Sequence, residues 1–395
     1  MKQYKNPVLV AFLNLLSIKF KSLSFFNLKL KSLRCKRYSE AVIISIDNLS
    51  FGGTGKTPLI IETGRSLQEA GIQFAIVSRG YKAQYEQAGV LVEPGFTAAQ
   101  VGDEAKLLKT RFPGTDILIG RDRHRSIKKA VERGNRVIIL DDGFQSTDIY
   151  RDVKIMLFNP FQPYYYLRNF KFLMKEEDYV FYFVPGPAAQ GAHKGLPVET
   201  GKPGGSRYRL NRLLKLVACR PQNAARGAHK VRSSRQEGVS LSKSFLGGQG
   251  GRFFKKAPLA AGGKEAVNRK PLIGAYYFAI ENFYDAAEKA IDPGQAVLFG
   301  FSGVGDNRRF RRDLSDFNLT GFQGYKDHFA FTEADIRELD SGRRQLGAQY
   351  LVCTEKDYVK IMDFDLRDIP LLYVRNVIKL DVDIAGLIPR DPAQS

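Results

Sequence analysis

The sequence predicts an α/β protein in which a mostly parallel sheet carries helices on both faces and is followed by a smaller C-terminal α/β lobe. Three observations predict this fold. Strands alternate with helices over 41–159, a glycine-rich turn joins the first strand to its helix, and a later strand ends in two aspartates. With 395 residues, the chain is long enough for a sizeable core and two subdomains.

The N-terminal segment, 1–40, is apolar and basic. An apolar stretch at 7–18 precedes 19–31, where lysines interrupt the apolar residues, and the segment carries nine Lys or Arg against one Glu. This composition favours a helix at a membrane surface, where lysines meet anionic head groups. The alternative is a helix packed on the protein, with lysines that only solvate its outer face. Because no run reaches about 18 consecutive apolar residues and no cleavage site follows, we expect a chain that is neither secreted nor clearly transmembrane.

The core, 41–187, begins with an alternating pattern. We predict strands at 41–47, 73–78, 115–119, 136–141 and 153–158, and helices at 57–70, 102–112 and 122–134. Such alternation is typical of a parallel sheet that binds its ligand outside the carboxyl ends of the strands.

A glycine-rich turn follows the first strand and predicts a nucleotide-phosphate site. Glycines let the backbone curl around an anion with its N–H groups pointing inward, and the next helix adds its positive dipole end. Lys56 would reach the β- and γ-phosphates of ATP, and the Thr57 hydroxyl would bind Mg²⁺. The match is imperfect because Ser50 stands where the pattern has glycine, and a plain turn with a surface lysine is the alternative. The predicted nucleotide-binding residues are Ser50, Phe51, Gly52, Gly53, Thr54, Gly55, Lys56 and Thr57.

The apolar strand at 136–141 ends in Asp141 and Asp142. Adjacent carboxylates repel unless a cation lies near them, so a pair at a strand end suggests Mg²⁺. The alternative is a solvated turn. The predicted metal ligands are Thr57, Asp141, Asp142 and Gln145.

The span 188–268 differs in composition from the rest. It holds thirteen glycines and sixteen Lys or Arg against three Glu, which predicts a disordered insertion. Together with the N-terminal segment it accounts for the net charge of +20, so the body is nearly neutral and overall charge is a poor argument for nucleic acid. The three cysteines have no C-x-x-C spacing, which indicates neither a zinc site nor a disulfide framework and fits a reducing cytoplasm.

A second α/β pattern occupies 269–395. We predict strands at 296–301, 349–353 and 371–374 and a helix at 308–314, and therefore a cleft between two lobes. Two candidates for a catalytic base flank this cleft in sequence, Asp103 and the pair Asp327 and His328. A carboxylate bonded to imidazole would make a base that acts near neutral pH. A helix cap for Asp103, and a structural role for His328 and for His124, remain the alternatives.

Seven motifs together resemble the tetraacyldisaccharide 4'-kinase family, the lipid A 4'-kinases of Gram-negative bacteria. The motifs lie, in order, at 46–58, 78–81, 102–104, 141–145, 301–307, 327–332 and 354–357. Three features depart from the family's pattern: Ser146 in place of a His, Ala105 in place of a Pro, and no clear counterpart of a Leu-Pro-Ala-Gly-x-Leu-Arg-Glu stretch at 164–177.

The resemblance implies a P-loop kinase that transfers the γ-phosphate of ATP to the 4' hydroxyl of an acylated glucosamine disaccharide 1-phosphate. It also implies that Asp103 and His328 together form the catalytic base, with Lys56 acting on the phosphates. The enzyme would work at the cytoplasmic face of the inner membrane, on its anionic surface and without an obligate protein partner. Two other hypotheses remain: a P-loop NTPase that binds nucleic acid through 188–268, which we consider less favoured, and a membrane adaptor with a decayed nucleotide site.

Overall fold

The computed structural model describes residues 7–50, 53–162, 167–183 and 272–380, and thirteen strands in these ranges form one mixed sheet. The strands are β1 (Val42–Asn48), β2 (Phe74–Ser78), β3 (Val90–Leu91), β4 (Asp116–Ile119), β5 (Val137–Asp141), β6 (Val153–Phe158), β7 (Tyr179–Phe183), β8 (Leu272–Tyr284), β9 (Ala290–Ile291), β10 (Leu298–Ser302), β11 (Leu319–Gly324), β12 (Tyr350–Thr354) and β13 (Leu371–Leu380). They lie in the order β11, β10, β12, β13, β8, β7, β6, β1, β5, β2, β4 and β3, and β9 pairs with β8.

Eight α-helices accompany this sheet in the described residues. They are α1 (Pro7–Ser32), α2 (Lys56–Glu69), α3 (Ala98–Val101), α4 (Asp103–Arg111), α5 (Arg123–Glu132), α6 (Asn307–Asp313), α7 (Glu333–Gln345) and α8 (Glu355–Ile361). Polar side chains mark several helix starts: Asp122 caps α5, Asp306 caps α6 and Thr332 caps α7, each accepting a bond from a backbone N–H of the first turn.

The first half of the sheet is parallel and buried on both faces. β6, β1, β5, β2 and β4 pair in parallel. Along β1, Ile44 and Ile46 pack with α2 and α4, whereas Ile43 packs on the opposite face with α5. The predicted fold class is thereby confirmed, and the strands and helices predicted between 41 and 158 begin and end within two residues of those observed.

β8 joins the two halves of the protein. It runs parallel to β7 at its start and then antiparallel to β13, from Tyr276 opposite Leu380 to Tyr284 opposite Tyr373. Beyond β13, strands β12, β10 and β11 pair in parallel and form the predicted smaller lobe. The sequence pattern predicted neither β7, β8 nor β11, and it ended β13 at 374. A strand of 13 residues that pairs in parallel with β7 and antiparallel with β13 has no alternating pattern of its own to reveal it.

α1 is longer than the apolar stretch at 7–18 seen in the sequence. This helix has 26 residues, and by length and composition it is the one helix among the described ranges that could cross a membrane. Lysines and serines interrupt its apolar residues, so it holds no run of about 18 consecutive apolar residues, and the expectation of a chain that is not clearly transmembrane stays a prediction. Several predicted features lie outside the described residues: Phe51, Gly52, the tyrosines at 164–166 and the insertion at 188–268.

Two helical glycines allow a test of the packing around α2. A Cβ added at Gly64 in α2 would lie 2.7 Å from Phe112 Cζ and 3.1 Å from Phe74 Cζ, whereas one at Gly342 in α7 would meet only Phe299, at 3.8 Å. We expect Gly64→Ala to lower the free energy of unfolding by about 1–3 kcal/mol through overpacking. Gly342→Ala should instead raise it by up to about 1 kcal/mol, because alanine favours helix. Urea denaturation of both variants measures this, and a stabilising Gly64→Ala would contradict the packing described.

Candidate active site

The phosphate loop between β1 and α2 is held by contacts on several sides. Gly55 has a φ of 95°, and a Cβ at this position would lie 2.5 Å from the ring of Phe278, so only glycine fits without a shift. Tyr276 donates its hydroxyl hydrogen to Thr54 O (2.8 Å), and Asn48 Nδ2 donates to Thr54 Oγ1 (2.7 Å). These contacts hold Thr54 and Gly55 in place, and the glycine backbone fits the close approach of a phosphate group.

Lys56 opens α2 and lies among acceptors. Its Nζ is 3.2 Å from Asp142 Oδ1 and 3.4 Å from Asn48 Oδ1. Burial alone would lower the pKa of Lys56, but the carboxylates of Asp142 and Asp141 hold it above its ordinary value. The side chain is therefore a fixed positive charge at the end of the phosphate loop.

The two aspartates at the end of β5, Asp141 and Asp142, have different environments. Asp141 is buried, and burial together with the charges of Glu104 and Asp142 raises its pKa to about 6. Ser78 Oγ donates to its Oδ2 (2.9 Å), while its Oδ1 is buried without a hydrogen-bond partner in the described residues. Asp142 adopts a left-handed backbone, with φ 56°. Burial would raise its pKa, but Lys56 and Arg168 lower the value to about 2.

These environments test the predicted magnesium ligands. Arg168 Nη1 donates to both carboxylate oxygens of Asp142 (2.8 and 2.7 Å), so the charge of this carboxylate is already paired with a guanidinium group. Asp141 keeps one unpartnered oxygen, and Thr57 and Gln145 line the same cleft. No group of three or more His, Cys, Asp or Glu side chains in the described ranges could enclose a metal. One carboxylate and one hydroxyl nevertheless fit Mg²⁺, because this ion usually keeps several waters and binds substrate phosphates.

The two residues predicted to form the catalytic base come from different halves of the protein and contact each other. His328 Nδ1 is 3.0 Å from Asp103 Oδ2, although 225 positions separate them in sequence. Asp103 is the first residue of α4, whose N-cap is Gly102, so its carboxylate is not a helix cap. Burial would raise the pKa of Asp103, but the hydrogen bond from His328 and the charges of Lys360 and Lys356 hold it below its ordinary value. The carboxylate is therefore ionised and accepts a hydrogen bond from the Nδ1–H of His328.

Two lysines of α8 complete this cluster, and the sequence pattern did not assign them a role. Lys356 Nζ bonds Glu104 Oε1 (3.1 Å), and Lys360 Nζ lies 3.8 Å from Asp103 Oδ2 and 2.8 Å from Asp357 Oδ1. Lys356 belongs to the family motif at 354–357, but the spacing of residues in the sequence cannot show that α8 packs beside α4. Arg168 was also missed, because its partner Asp142 lies 26 residues away.

A cleft of about 1040 Å³ lies between the two halves and contains most of the predicted site. Ser50 is fully buried, bridges to Leu167 through its backbone and does not line the cleft. His124 lies elsewhere, between the Tyr38 hydroxyl (2.7 Å) and Asp148 (3.1 Å). The predicted residues that line the cleft are Gly53, Thr54, Gly55, Lys56, Thr57, Asp103, Asp141, Asp142, Gln145, Asp327 and His328.

A sequence model of one family, Tetraacyldisaccharide-1-P 4'-kinase (LpxK), matches residues 9–166 and 259–388. The chain belongs to the tetraacyldisaccharide-1-P 4'-kinase family. Relatives named tetraacyldisaccharide 4'-kinase include one from Desulfotalea psychrophila, 28% identical over 88% of this chain and 85% of the relative. Another, from Syntrophus aciditrophicus, is 25% identical over 84% and 78%, and one from Chlamydia muridarum is 40% identical over 32% and 34%.

A solved structure of this family has the same fold. The crystal structure of LpxK from Aquifex aeolicus in complex with ATP matches with a TM-score of 0.61 and 19% identity, over 96% of this chain and 98% of that one. The family resemblance seen in the motifs is therefore confirmed, whereas none of these comparisons supports the hypothesis of a nucleic-acid-binding NTPase.

Behind the phosphate loop of this kinase-family protein lies a buried charged cluster that the sequence pattern did not reveal. Arg151 Nη1 is 3.4 Å from Asp47 Oδ2 and 4.0 Å from Glu177 Oε1, and both carboxylates are buried. Burial raises the pKa of Asp47 and raises that of Glu177 to about 8, because one arginine cannot fully compensate two desolvated carboxylates.

This cluster predicts a loss of stability in mild alkali. A carboxyl group whose folded pKa lies above its unfolded value stabilises the fold at low pH, and this contribution declines as pH rises through the folded value. We expect the urea midpoint of the protein to fall between pH 6 and pH 8.5. Glu177→Gln should reduce that fall, since a neutral amide has no proton to lose. Equal pH dependence in the two proteins would contradict the burial of an uncompensated Glu177.

Proposed function

We propose that this protein transfers the γ-phosphate of ATP to the 4' hydroxyl of a tetraacylated glucosamine disaccharide 1-phosphate. One observation carries the proposal: the hydrogen-bonded pair of Asp103 and His328 faces the same cleft as Lys56 and the phosphate loop. Phosphoryl transfer needs a phosphate cradle, a metal ion and a proton acceptor near the attacking hydroxyl. Family membership supplies the acceptor, since its relatives are named for the tetraacyldisaccharide.

The nucleotide end of the reaction depends on fixed charges. The loop at 53–57 holds the triphosphate with its backbone N–H groups, and Lys56, kept protonated by its aspartate neighbours, stabilises the charge that develops on the transferred group. Asp141 and Thr57 would hold Mg²⁺, and the ion would supply positive charge that offsets the charge of the phosphates. Asp142 serves a different purpose, since it binds both Lys56 and Arg168 and so fixes their positions. Gln145 lies in reach of the same part of the cleft.

The acceptor end of the reaction depends on the tautomer of His328. Because Nδ1 donates its hydrogen to Asp103, Nε2 carries the lone pair and accepts the proton of the attacking hydroxyl. Asp103 then stabilises the imidazolium that forms. The position of His328 is set by its backbone, which has a φ of 58° and donates from N to Gly303 O (3.1 Å). Lys360 holds Asp103 in its ionised state.

α1 provides an apolar and basic surface through which the protein would reach a lipid substrate in a membrane. Ten of the fifteen large apolar side chains that are exposed in the described residues lie on this helix. Its basic residues Lys19, Lys29 and Lys31 suit the anionic inner surface of a bacterial inner membrane. The C-terminal turn of α1 lies beside the cleft, since Thr147 Oγ1 donates to Leu28 O (2.6 Å) and Lys31 Nζ to Gln145 O (3.3 Å). A lipid head group held at the membrane surface would therefore lie close to the site.

The transfer reaction tests the proposal directly. The protein is incubated with γ-labelled ATP and the acylated disaccharide 1-phosphate in mixed micelles, and the bisphosphorylated lipid is counted. We expect label in the lipid and a loss of kcat by orders of magnitude in Lys56→Ala, because a charge that acts on the transition state is removed. Lys128→Ala, on the exposed face of α5, is the matched control. Binding of ATP without any transfer by the wild-type protein would refute the proposed reaction.

The environment of Asp103 predicts a shift in the pH profile. Activity should be lost at low pH, because a proton acceptor that is already protonated cannot take the proton of the attacking hydroxyl, and the negative charge of the Asp103 carboxylate favours the imidazolium form of its partner. Lys360→Met removes a cation 3.8 Å from this carboxylate, so the acidic limb of kcat/KM should move to higher pH. Lys360→Arg retains the charge and should leave the limb in place. A uniform loss of activity without movement of the limb would mean that Lys360 only supports the fold.

Membrane attachment has its own test. Leu23→Glu and Phe26→Glu place charges among the exposed apolar side chains of α1 and should abolish flotation with vesicles that contain anionic phospholipid. Leu346→Glu, an exposed leucine just beyond α7, provides the same substitution away from α1. Unchanged flotation of the α1 variants would exclude this helix as the membrane contact.

A further inference from the structure

We infer that Asp357 is the positioning residue of the proposed catalytic base, because this one buried carboxylate holds both His328 and Asp103 in place. The inference rests on the proposed transfer reaction and adds a residue that lies behind the reacting groups. Asp357 belongs to α8, is fully buried and does not line the cleft. It acts through two neighbours, Gly303 and Lys360.

The first route runs through the backbone of Gly303. Asp357 Oδ2 accepts a hydrogen bond from Gly303 N (3.1 Å), and Gly303 O accepts one from His328 N (3.1 Å). His328 has a φ of 58°, an uncommon conformation for a residue other than glycine, and such a backbone persists only where surrounding contacts fix it. The bond to Gly303 is one of these contacts, so the position of the Asp357 carboxylate helps to set that of the imidazole.

The second route runs through the ammonium group of Lys360. Its Nζ lies 2.8 Å from Asp357 Oδ1, 3.4 Å from Gly303 O and 3.8 Å from Asp103 Oδ2. A lysine side chain is flexible, so its charge stays at one point only where a close partner holds it. Asp357 is that partner, and it thereby keeps the positive charge of Lys360 beside Asp103.

A second helix of the C-terminal half shows that this arrangement is more than a helix cap. α7 and α8 both begin with a Thr-x-x-Asp sequence, which runs over 332–335 in α7 and over 354–357 in α8. The carboxylate of Asp335 turns back and accepts from Thr332 N (2.7 Å), which closes a capping box. The carboxylate of Asp357 accepts from Thr354 Oγ1 (2.7 Å) and also extends to the two groups described above. Capping alone does not require those additional contacts.

The packing around Gly303 offers a way to disturb the first route without removing a charge. A Cβ added at Gly303 would lie 3.3 Å from Asp357 Oδ1 and 3.1 Å from Cβ of Phe329, the residue next to His328. Both contacts are tight, so the added methyl group would displace the backbone that bonds His328. Gly303→Ala is therefore a second variant, should Asp357→Asn fail to fold.

Steady-state kinetics of the full chain test the inference. Asp357→Asn keeps the size of the side chain but removes the charge that holds Lys360. We expect kcat for lipid phosphorylation to fall about 10–100-fold through misplacement of the base, with the binding of ATP unchanged. Asp340→Asn is the matched control, because Asp340 is a buried carboxylate of α7 that binds Arg343 and Arg344 and does not line the cleft. An equal loss of kcat in both variants, or no loss in Asp357→Asn, would overturn the inference.

The imidazole of His328 reports its position without any transfer reaction. Long-range ¹H–¹⁵N correlation spectra of protein labelled at its four histidines show the tautomer of each ring, and His328→Gln identifies the signals of this one. In the wild-type protein we expect the hydrogen on Nδ1, because Asp103 accepts it. Asp357→Asn and Gly303→Ala should both shift the signals towards the tautomer mixture of a free histidine, whereas Gly342→Ala should not.

The spectra separate a failure of this inference from a failure of the proposed function. Unchanged His328 signals in Asp357→Asn and Gly303→Ala would overturn the inference, since the ring would then be held by other contacts. Signals that respond to these substitutions, in a protein that phosphorylates no lipid, would refute the proposed function alone and would support Asp357 as the residue that positions the pair.

Discussion

The contact between β8 and the phosphate loop is the constraint on which the rest of the structure depends. Tyr276 bonds the carbonyl of Thr54, and two residues later Phe278 fills the space beside Gly55. β8 also pairs with both β7 and β13, so one strand connects the loop, the first half and the second half of the sheet. Any movement of the C-terminal half about β8 must therefore change the position of His328 relative to the phosphate loop.

The three carboxylates of the cleft differ in pKa because each has a different set of charged neighbours. Lys56 and Arg168 keep Asp142 ionised, burial raises the pKa of Asp141 to about 6, and His328 and Lys360 hold the pKa of Asp103 below its ordinary value. A bound Mg²⁺ would favour the ionised form of Asp141 by the same physics. Because the compensating groups come from both halves, the charges are balanced only when α8 packs beside α4.

The N-terminal helix α1 is part of the same assembly. Leu28 packs in a cluster with Leu49 and Phe144, residues next to the phosphate loop and to the acidic turn. α1 thus presents one face to the body near the cleft while its other faces expose apolar side chains. This arrangement explains why a helix that could be a simple anchor also has buried residues, and it places the exposed apolar surface of α1 beside the cleft.

The sequence by itself determined the local features: the alternation of strands and helices, the glycine-rich turn, the aspartates that end β5, and an apolar N-terminal helix. These follow from short-range rules, since strand period, helix caps and glycine backbone freedom depend on neighbours within a few residues. The pairing of Asp103 with His328 was anticipated only through family resemblance, because their spacing carries no information on distance. Only the tertiary structure decided that Arg168 forms an ion pair with Asp142, that Lys360 lies near Asp103, and that the ring of Phe278 lies against Gly55. Such contacts arise from the packing of distant segments and from the course of β8, which no local pattern specifies.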